Sequence, residues 1–388
     1  MKRHITSALD STYVIDGIRM DLTPRQILKA ASVSEDVPGH VEENAESVEN
    51  EPVVDESSDP IPYHTALSIN NIYKYAAEVS ELSEKASDIP AASSADVSRI
   101  IAAQSIIDTL WKCGHFKVSD LVLNAEWQWD FSNVGSYAAF YASVESTCWY
   151  TDMMGIRLGG YSLAEGGHSL NFSTSVAGGN DGEDDDDDSA ALFTEPFTTT
   201  NPVMEEGRKC PDTIVGKPDN WLIYIPFDTC SFRLGGSLLE EAEAIGRGKA
   251  PEIGDTDYFM DCFEVVREFV EDGIVISGRT VGRGGLMSAL SGMCSGDIGA
   301  VIELGTVMQS YGDNDLVNIL FGEIPGVVIE INSSDFDYVD AELLLQDVAY
   351  YPLGHPEGET LRINGNPDGG ISGIIQSLID SRAPEGED

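Results

Sequence analysis

Basic residues are scarce in this sequence. Its 388 residues include 22 lysines and arginines against 67 aspartates and glutamates, a formal net charge of −45. Affinity for DNA, RNA or an anionic membrane draws on cationic contacts to phosphate, so neither nucleic acid nor membrane is expected as a partner. The imbalance fits a high-salt setting, where screening relaxes self-repulsion, or a chain that docks on a basic partner. Cysteine is sparse too. Cys113, Cys148, Cys210, Cys230, Cys262 and Cys294 stand at least 20 residues apart, so no CxxC spacing suggests a zinc site or a redox dithiol. Buried free thiols are expected instead.

Long apolar runs are missing as well. Nothing approaches the roughly 18 consecutive apolar residues of a membrane span. The start, Met1-Lys2-Arg3-His4, has no apolar stretch behind it, so no secretory signal is expected. The localisation expected is therefore cytoplasmic, or in a particle formed in the cytoplasm. Familiar catalytic signatures are absent. The six histidines show no HxxxH or HExxH spacing, and there is neither a GxSxG elbow nor a GxxxxGK[ST] phosphate loop. A zinc hydrolase, an α/β-hydrolase and a P-loop enzyme are thereby disfavoured.

What the sequence does contain reads as an organised α/β (α+β) chain. Residues 12–20 have strand composition, and Thr23-Pro24 opens a helix through Ala31 by cap-then-proline logic. Residues 35–60 are acidic and poor in apolar periodicity, as in a disordered linker. Apolar spacing then predicts a helix over 96–113, with Asp96 as its cap, and a strand over 117–125. A helix over 134–154 and strands over 156–158 and 168–176 follow. The stretch 178–189 carries seven acids and reads as a solvated loop; it lacks the alternating ligands and closing Glu of an EF-hand.

A second α/β segment begins after Pro218. Strands are expected over 221–226, 273–277, 298–304 and 326–331, and helices over 258–271, 285–293, 341–345 and 370–379. Alternating helices and strands at this spacing imply layered architecture with crossover connections. The expected organisation is an appendage over 1–34, the linker over 35–60, one domain over 61–215, a second over 216–365, and a helix and tail over 366–388. Trp127 and Trp129 share a face if they lie on a strand, either in a core or as a base-stacking platform.

Several of these stretches resemble one family in sequence and order. Trp221-Leu222-Ile223-Tyr224-Ile225 followed by Leu234-Gly235-Gly236-Ser237 is similar to the strand and "LG-GS" turn that open the C-terminal domain of the AIR synthetase superfamily. Val275 to Leu286 resembles its "HDxSDGGL" strand-to-helix element, and Leu320-Phe321-Gly322-Glu323-Ile324-Pro325-Gly326 its "LF-x-E-x-x-G" signature. Leu123-Asn124-Ala125-Glu126-Trp127 and the following helix resemble the second N-terminal domain of phosphoribosylformylglycinamidine synthases. The resemblance spans about residues 95–365.

It implies an AIR-synthetase-like two-domain fold, a ferredoxin-like N-terminal domain with a larger α/β C-terminal domain. It also implies pairing of such domains as a homodimer or in a larger protein assembly. Active members use ATP and magnesium, with ammonia from a glutaminase partner, to make the amidine. By the resemblance, the nucleotide- or phosphate-binding candidates are Asn124, Gly235, Gly236, Ser237, Arg279, Arg283, Gly284, Gly285 and Glu323. Glu323 is also the one candidate catalytic acid.

The family's His and two Asp fall here on Arg279, Thr280 and Arg283. Guanidinium groups offer donors only and cannot ligate magnesium or act as a base. They could hold an anionic ligand or pair with local carboxylates. The glycine stretch 155–160 is followed by Tyr161-Ser162-Leu163 where the family has a Lys-Asp pair or a polar residue. No metal ligand is assigned, and ATP or ADP with magnesium is kept only as an open cofactor. The expectation is a catalytically degenerate synthase-like domain acting in binding, as a scaffold, or as a structural component such as that of a virus particle. Two alternatives stay open: an ATP-dependent C–N ligase completed by partner chains, and a nucleotide sensor.

Overall fold

The computed structural model describes residues 3–33, 39–42, 67–83, 89–112, 116–176, 197–198, 208–243 and 248–364. The expected loop over 178–189, the helix over 370–379 and most of the linker over 35–60 lie outside the described residues.

The chain opens with helix α1 (Arg3–Asp10), the short hairpin β1 (Val14–Ile15) and β2 (Ile18–Arg19), and α2 (Pro24–Ala31). Asp16 and Gly17 take positive φ angles of 51° and 80°, so the stretch read as one strand turns back on itself. Thr23 caps α2 through a capping box with Gln26, and Pro24 occupies the first turn, where its missing N–H costs nothing. Strand β3 (Gly39–Glu42) pairs parallel to β5, inside the stretch read as a linker. Helix α3 (Ile72–Ser83) follows β3 in the chain.

The first lobe is built by α4 (Ser94–Ile107), β4 (Leu121–Trp129), α5 (Val134–Met153), β5 (Arg157–Glu165), β6 (His168–Val176) and β7 (Phe197–Thr198). Sheet order is β3-β5-β4-β6-β7. β4 runs parallel to β5 through the α5 crossover and antiparallel to β6. Leu121, Leu123, Ala125, Trp127 and Trp129 alternate into the core, which follows from the two-residue period of a strand. Both tryptophans are buried, their Nε1 atoms donating to Ser143 Oγ at 3.0 Å and the Ser136 carbonyl at 2.9 Å. That is core packing, and it leaves no face for base stacking. Asp96, the expected cap, sits instead inside the first turn of α4, three residues after the cap position at Ser93, and pairs with Arg99. The helix gives way at Asp108 to a 3-10 turn. Residues 118–120 form another 3-10 turn, so β4 starts and ends four residues later than its sequence suggests.

The second lobe contains β8 (Trp221–Pro226), α6 (Leu238–Glu243), α7 (Thr256–Glu271), β9 (Val275–Val281), α8 (Gly285–Met293), β10 (Ala300–Glu303), α9 (Gly305–Tyr311), α10 (Leu316–Phe321), β11 (Gly326–Ile331), α11 (Phe336–Leu345), β12 (Tyr351–Pro356) and β13 (Leu361–Asn364). Sheet order is β13-β10-β12-β8-β11-β9, with β13 and β10 parallel and the other neighbours antiparallel. The central strands are apolar on both faces. Ile223, Ile225, Val327 and Ile329 belong to one cluster, with α7 and the first lobe. Leu222, Tyr224 and Val328 belong to another, with α8, α9 and α10. Continuous apolar runs are what a strand covered on two sides requires. Helix α4 touches α5 and β6 of the first sheet and β9 and β11 of the second.

Among the described residues, no helix is long and apolar enough to cross a membrane. Cys148, Cys210 and Cys262 are buried free thiols, and Cys230 and Cys294 are half-buried. Burial pushes the Cys148 thiol up to about 12 and that of Cys294 to about 11. Cys113 lies outside the described residues.

Candidate functional site

Three connections meet at one corner of the second lobe: the turn before α6, the β9–α8 junction, and the link from α10 to β11. The β9–α8 junction is possible because Gly284 and Gly285 both adopt left-handed φ, 86° and 68°. A Cβ on Gly285 would lie 2.7 Å from the Leu320 carbonyl oxygen, so only glycine lets α8 start against α10.

Glu323 enters this corner with 1% of its surface exposed. Its Oε1 accepts hydrogen bonds from the Leu238 amide at 2.9 Å and the Gly284 amide at 2.8 Å. Its Oε2 accepts from Arg283 Nη1, forming an ion pair. The same Nη1 donates to the Gly236 carbonyl at 2.6 Å, and the Arg283 amide donates to Gln104 Oε1 at 2.9 Å. Burial pushes the Glu323 carboxyl above its ordinary range, and the Arg283 charge and the two amides draw it back. An unpaired carboxylate here would cost several kcal/mol, so the ring of donors is what makes its burial tolerable.

The Gly235-Gly236-Ser237 turn has a second acid behind it. Ser237 Oγ donates to the Leu234 carbonyl at 2.7 Å and accepts from the Glu240 amide at 3.2 Å. The buried Glu240 carboxylate reaches back to the Gly236 amide at 2.6 Å and the Gly248 amide at 3.0 Å. Gly235 completes the turn by donating to the Lys249 carbonyl at 3.0 Å. Glu240 and Gln104 are absent from the residues picked out by sequence. Glu240 had a legible signal, because Ser237-Leu238-Leu239-Glu240 has capping-box spacing. Gln104 had none, since its target is 179 residues away.

Of the nine candidates, the structure thus gathers Gly235, Gly236, Ser237, Arg283, Gly284, Gly285 and Glu323. Arg279 and Asn124 stand apart from this corner's hydrogen bonds. Arg279 projects from β9 to Asp212, 3.1 Å away, beside Gly292. Asn124 lies on β4 in the other sheet, against Gly159. Thr280 between the two arginines is also engaged. It donates to Asp108 Oδ1 and accepts from Trp111 Nε1 at 2.8 Å. Burial pushes the Asp108 carboxyl up to about 6, against the pull of the Thr280 hydrogen bond and the charges of Arg208 and Arg279.

This donor set does not fit magnesium. Two of the three positions in the β9–α8 element are guanidiniums turned to carboxylates, the third is a bonded hydroxyl, and both oxygens of Glu323 are already used. Among the described residues, no group of three or more His, Cys, Asp or Glu side chains could hold a metal ion. No step through a metal or nucleotide follows from these residues.

Residues 217–351 match the family model for AIR synthase related protein, C-terminal domain. That match covers about a third of the chain and is confined to its second lobe. The AIR synthase related domain holds all of the corner just described except Gln104. Curated relatives extend the likeness upstream. A probable phosphoribosylformylglycinamidine synthase, chloroplastic/mitochondrial, of Arabidopsis thaliana is 24% identical over 260 residues, covering 67% of this chain and 17% of the plant protein. The Homo sapiens phosphoribosylformylglycinamidine synthase is 26% identical over 139 residues, covering 34% of this chain and 10% of its own length. The chain therefore spans less than a fifth of these relatives. Among solved structures, T. maritima PurL complexed with FGAR aligns with a TM-score of 0.49 at 16% identity, covering 71% of this chain and 42% of that one. Thiamine-monophosphate kinase from Stenotrophomonas maltophilia K279a aligns with a TM-score of 0.44 at 11% identity, covering 71% and 80%.

Proposed function

We propose that this chain is a synthase-like domain that works by binding or assembly, its nucleotide-handling corner converted into a structural ion pair. The observation that carries this reading is the buried Arg283–Glu323 pair. Phosphoryl transfer needs magnesium held by carboxylates and open donors aimed at phosphate oxygens. Here Nη1 of the guanidinium at the family's second Asp position and the amides of Leu238 and Gly284 are spent on the chain's own carboxylate. The oxygens of a bound phosphate would have to displace Glu323 and leave its charge buried without partners.

Isothermal titration of the full chain with ATP and ADP, with and without magnesium, at low and high salt, tests this reading. No saturable binding is expected. Magnesium-dependent binding in the micromolar range would overturn it in favour of a ligase or a sensor.

For assembly, the second face of the first sheet is the natural surface. It presents Asn124, Glu126, Gln128, Ser162, Asn171 and Ser173, all half-buried or exposed. Family expectation places pairing between two such sheets, and polar, uncharged positions dominate there despite the acidic chain. Sedimentation of the full chain, beside a Ser162→Arg/Ser173→Arg variant, tests a homodimer through this face. A dimer that the variant splits supports it, and a dimer that survives the variant refutes it.

A further inference from the structure

The hairpin β1–β2, the loop before α2, and α2, which packs on α5, line an open groove of about 500 Å³ along that helix. Its apolar lining includes Ile18, Leu22, Ile27, Cys148 and Trp149. Ile18 is 65% exposed, Leu22 47% and Trp149 46%. Single exposed apolar side chains are ordinary, but several in one concave patch mark an interaction surface. The volume falls in the range that accepts a few side chains or a small molecule.

The polar lining has a sign. Asp21, Glu145 and Asp152 face one guanidinium, Arg19. Asp152 is taken by Arg157 at 3.1 Å. Among the described residues, neither Asp21 nor Glu145 has an Arg or Lys partner. Both carboxylates lie close to the Tyr141 phenol, which donates to Glu145 Oε1 at 3.3 Å. Two carboxylates from different elements thus converge beside an apolar floor without a cation between them.

We propose that this groove docks a basic amphipathic segment of a partner protein, an apolar side chain entering between Ile18, Leu22 and Trp149 while Lys or Arg meets Asp21 and Glu145. Charge complementarity selects this occupant over the chain's own remaining segments. Residues 43–66, 177–196 and 199–207 contain no lysine or arginine, and residues 365–388 carry one arginine against five acids. A segment from a second copy is disfavoured on the same ground, with 22 cations against 67 acids in each chain. This inference rests on the reading of the chain as a binding protein and names its partner's chemistry. Nucleotide titration probes the Arg283 corner, on the other lobe, so the two can fail separately.

The probe is a fluorescein-labelled Leu/Lys amphipathic peptide of about 14 residues, long enough to form a helix on contact. Anisotropy is read with the full chain at about 0.3 M NaCl, where distant charges are screened and close pairs persist. Saturable binding is expected. Asp21→Lys/Glu145→Lys weakens it about ten-fold or more, and Ile18→Ser weakens it as well, since a contact at the centre of a patch carries most of the affinity. All three positions are exposed, so the variants keep the fold, which unchanged thermal midpoints check. Glu357→Lys/Glu359→Lys, on an exposed turn of the second lobe, is expected to leave affinity within about two-fold. Absence of binding, equal loss in this control, or equal affinity for a Leu/Glu peptide would each overturn the proposal. So would a second copy of the chain that competes with the peptide.

Discussion

Arg283 and Glu323 form an ion pair in the buried corner where the α6 turn and the β9–α8 junction meet. The carboxylate keeps its second oxygen for two backbone amides, those of Leu238 and Gly284. The pair therefore fastens three chain segments that are 39 or more residues apart, and its removal is a statement about folding before it is one about chemistry.

Replacing Arg283 with Met leaves the Glu323 charge buried with only backbone donors. We expect a loss of roughly 3–5 kcal/mol in urea unfolding, the usual result of orphaning a buried charge. The double variant Arg283→Met/Glu323→Gln keeps an acceptor for the amides and removes the charge, and it should recover about half of that loss. A single variant that costs less than about 1 kcal/mol would mean the corner opens to water and the pair is not structural.

How much of this was legible in the sequence varies with distance along the chain. Local signals worked in part: Thr23-Pro24 opens α2, and Trp127 and Trp129 share the buried face of β4, although that strand begins four residues later than its composition suggests. The corner candidates came from motif order, and seven of nine do meet. What the sequence could not show is what each side chain touches. Gln104 reaches Arg283 because α4 packs beside β9, and Arg279 lies against Gly292 of α8 and pairs with Asp212. Helices α9 and α10 are seven and six residues long and carry little periodic signal. Strand β12 includes two prolines and a glycine at φ 142°, a composition that reads as loop and persists in a sheet only through tertiary pairing.

Gly278→Ala tests the contact between the lobes. An added Cβ would lie 2.4 Å from the Trp111 ring, which is held by Thr280 and covered by Arg208 at 5.1 Å. Overpacking of this kind costs roughly 1–3 kcal/mol. The expected readout is a lower thermal midpoint with altered tryptophan emission. An unchanged midpoint would show that Trp111 can move aside.

Asp108 gives a pH signature. Folding raises its carboxyl from an ordinary value near 4 to about 6, so between those values the folded chain holds a proton that the unfolded chain has lost. Its contribution to stability is present below that window and is lost as pH rises through it, by roughly 1.4 kcal/mol per unit. Asp108→Asn should remove this slope, and the difference between variant and parent, followed by urea unfolding from about pH 4 to 7, isolates it from the other carboxylates. Parallel pH curves would show that Asp108 stays ionised beside Arg208 and Arg279.

Helix α4 has obligations on two sides. Ser98 meets Ser143 of α5 at 2.7 Å, whereas Val97 lies under Gly236 and Gln104 holds the Arg283 amide. A change of volume or polarity on α4 is therefore felt by both sheets at once, and an accommodation that suits one need not suit the other. The matched family segment begins at residue 217, well downstream of this helix. Grafting or excising that segment alone would strip Ile223, Ile225, Val327 and Ile329 of part of their cover, so the heritable unit and the foldable unit of this protein have different edges.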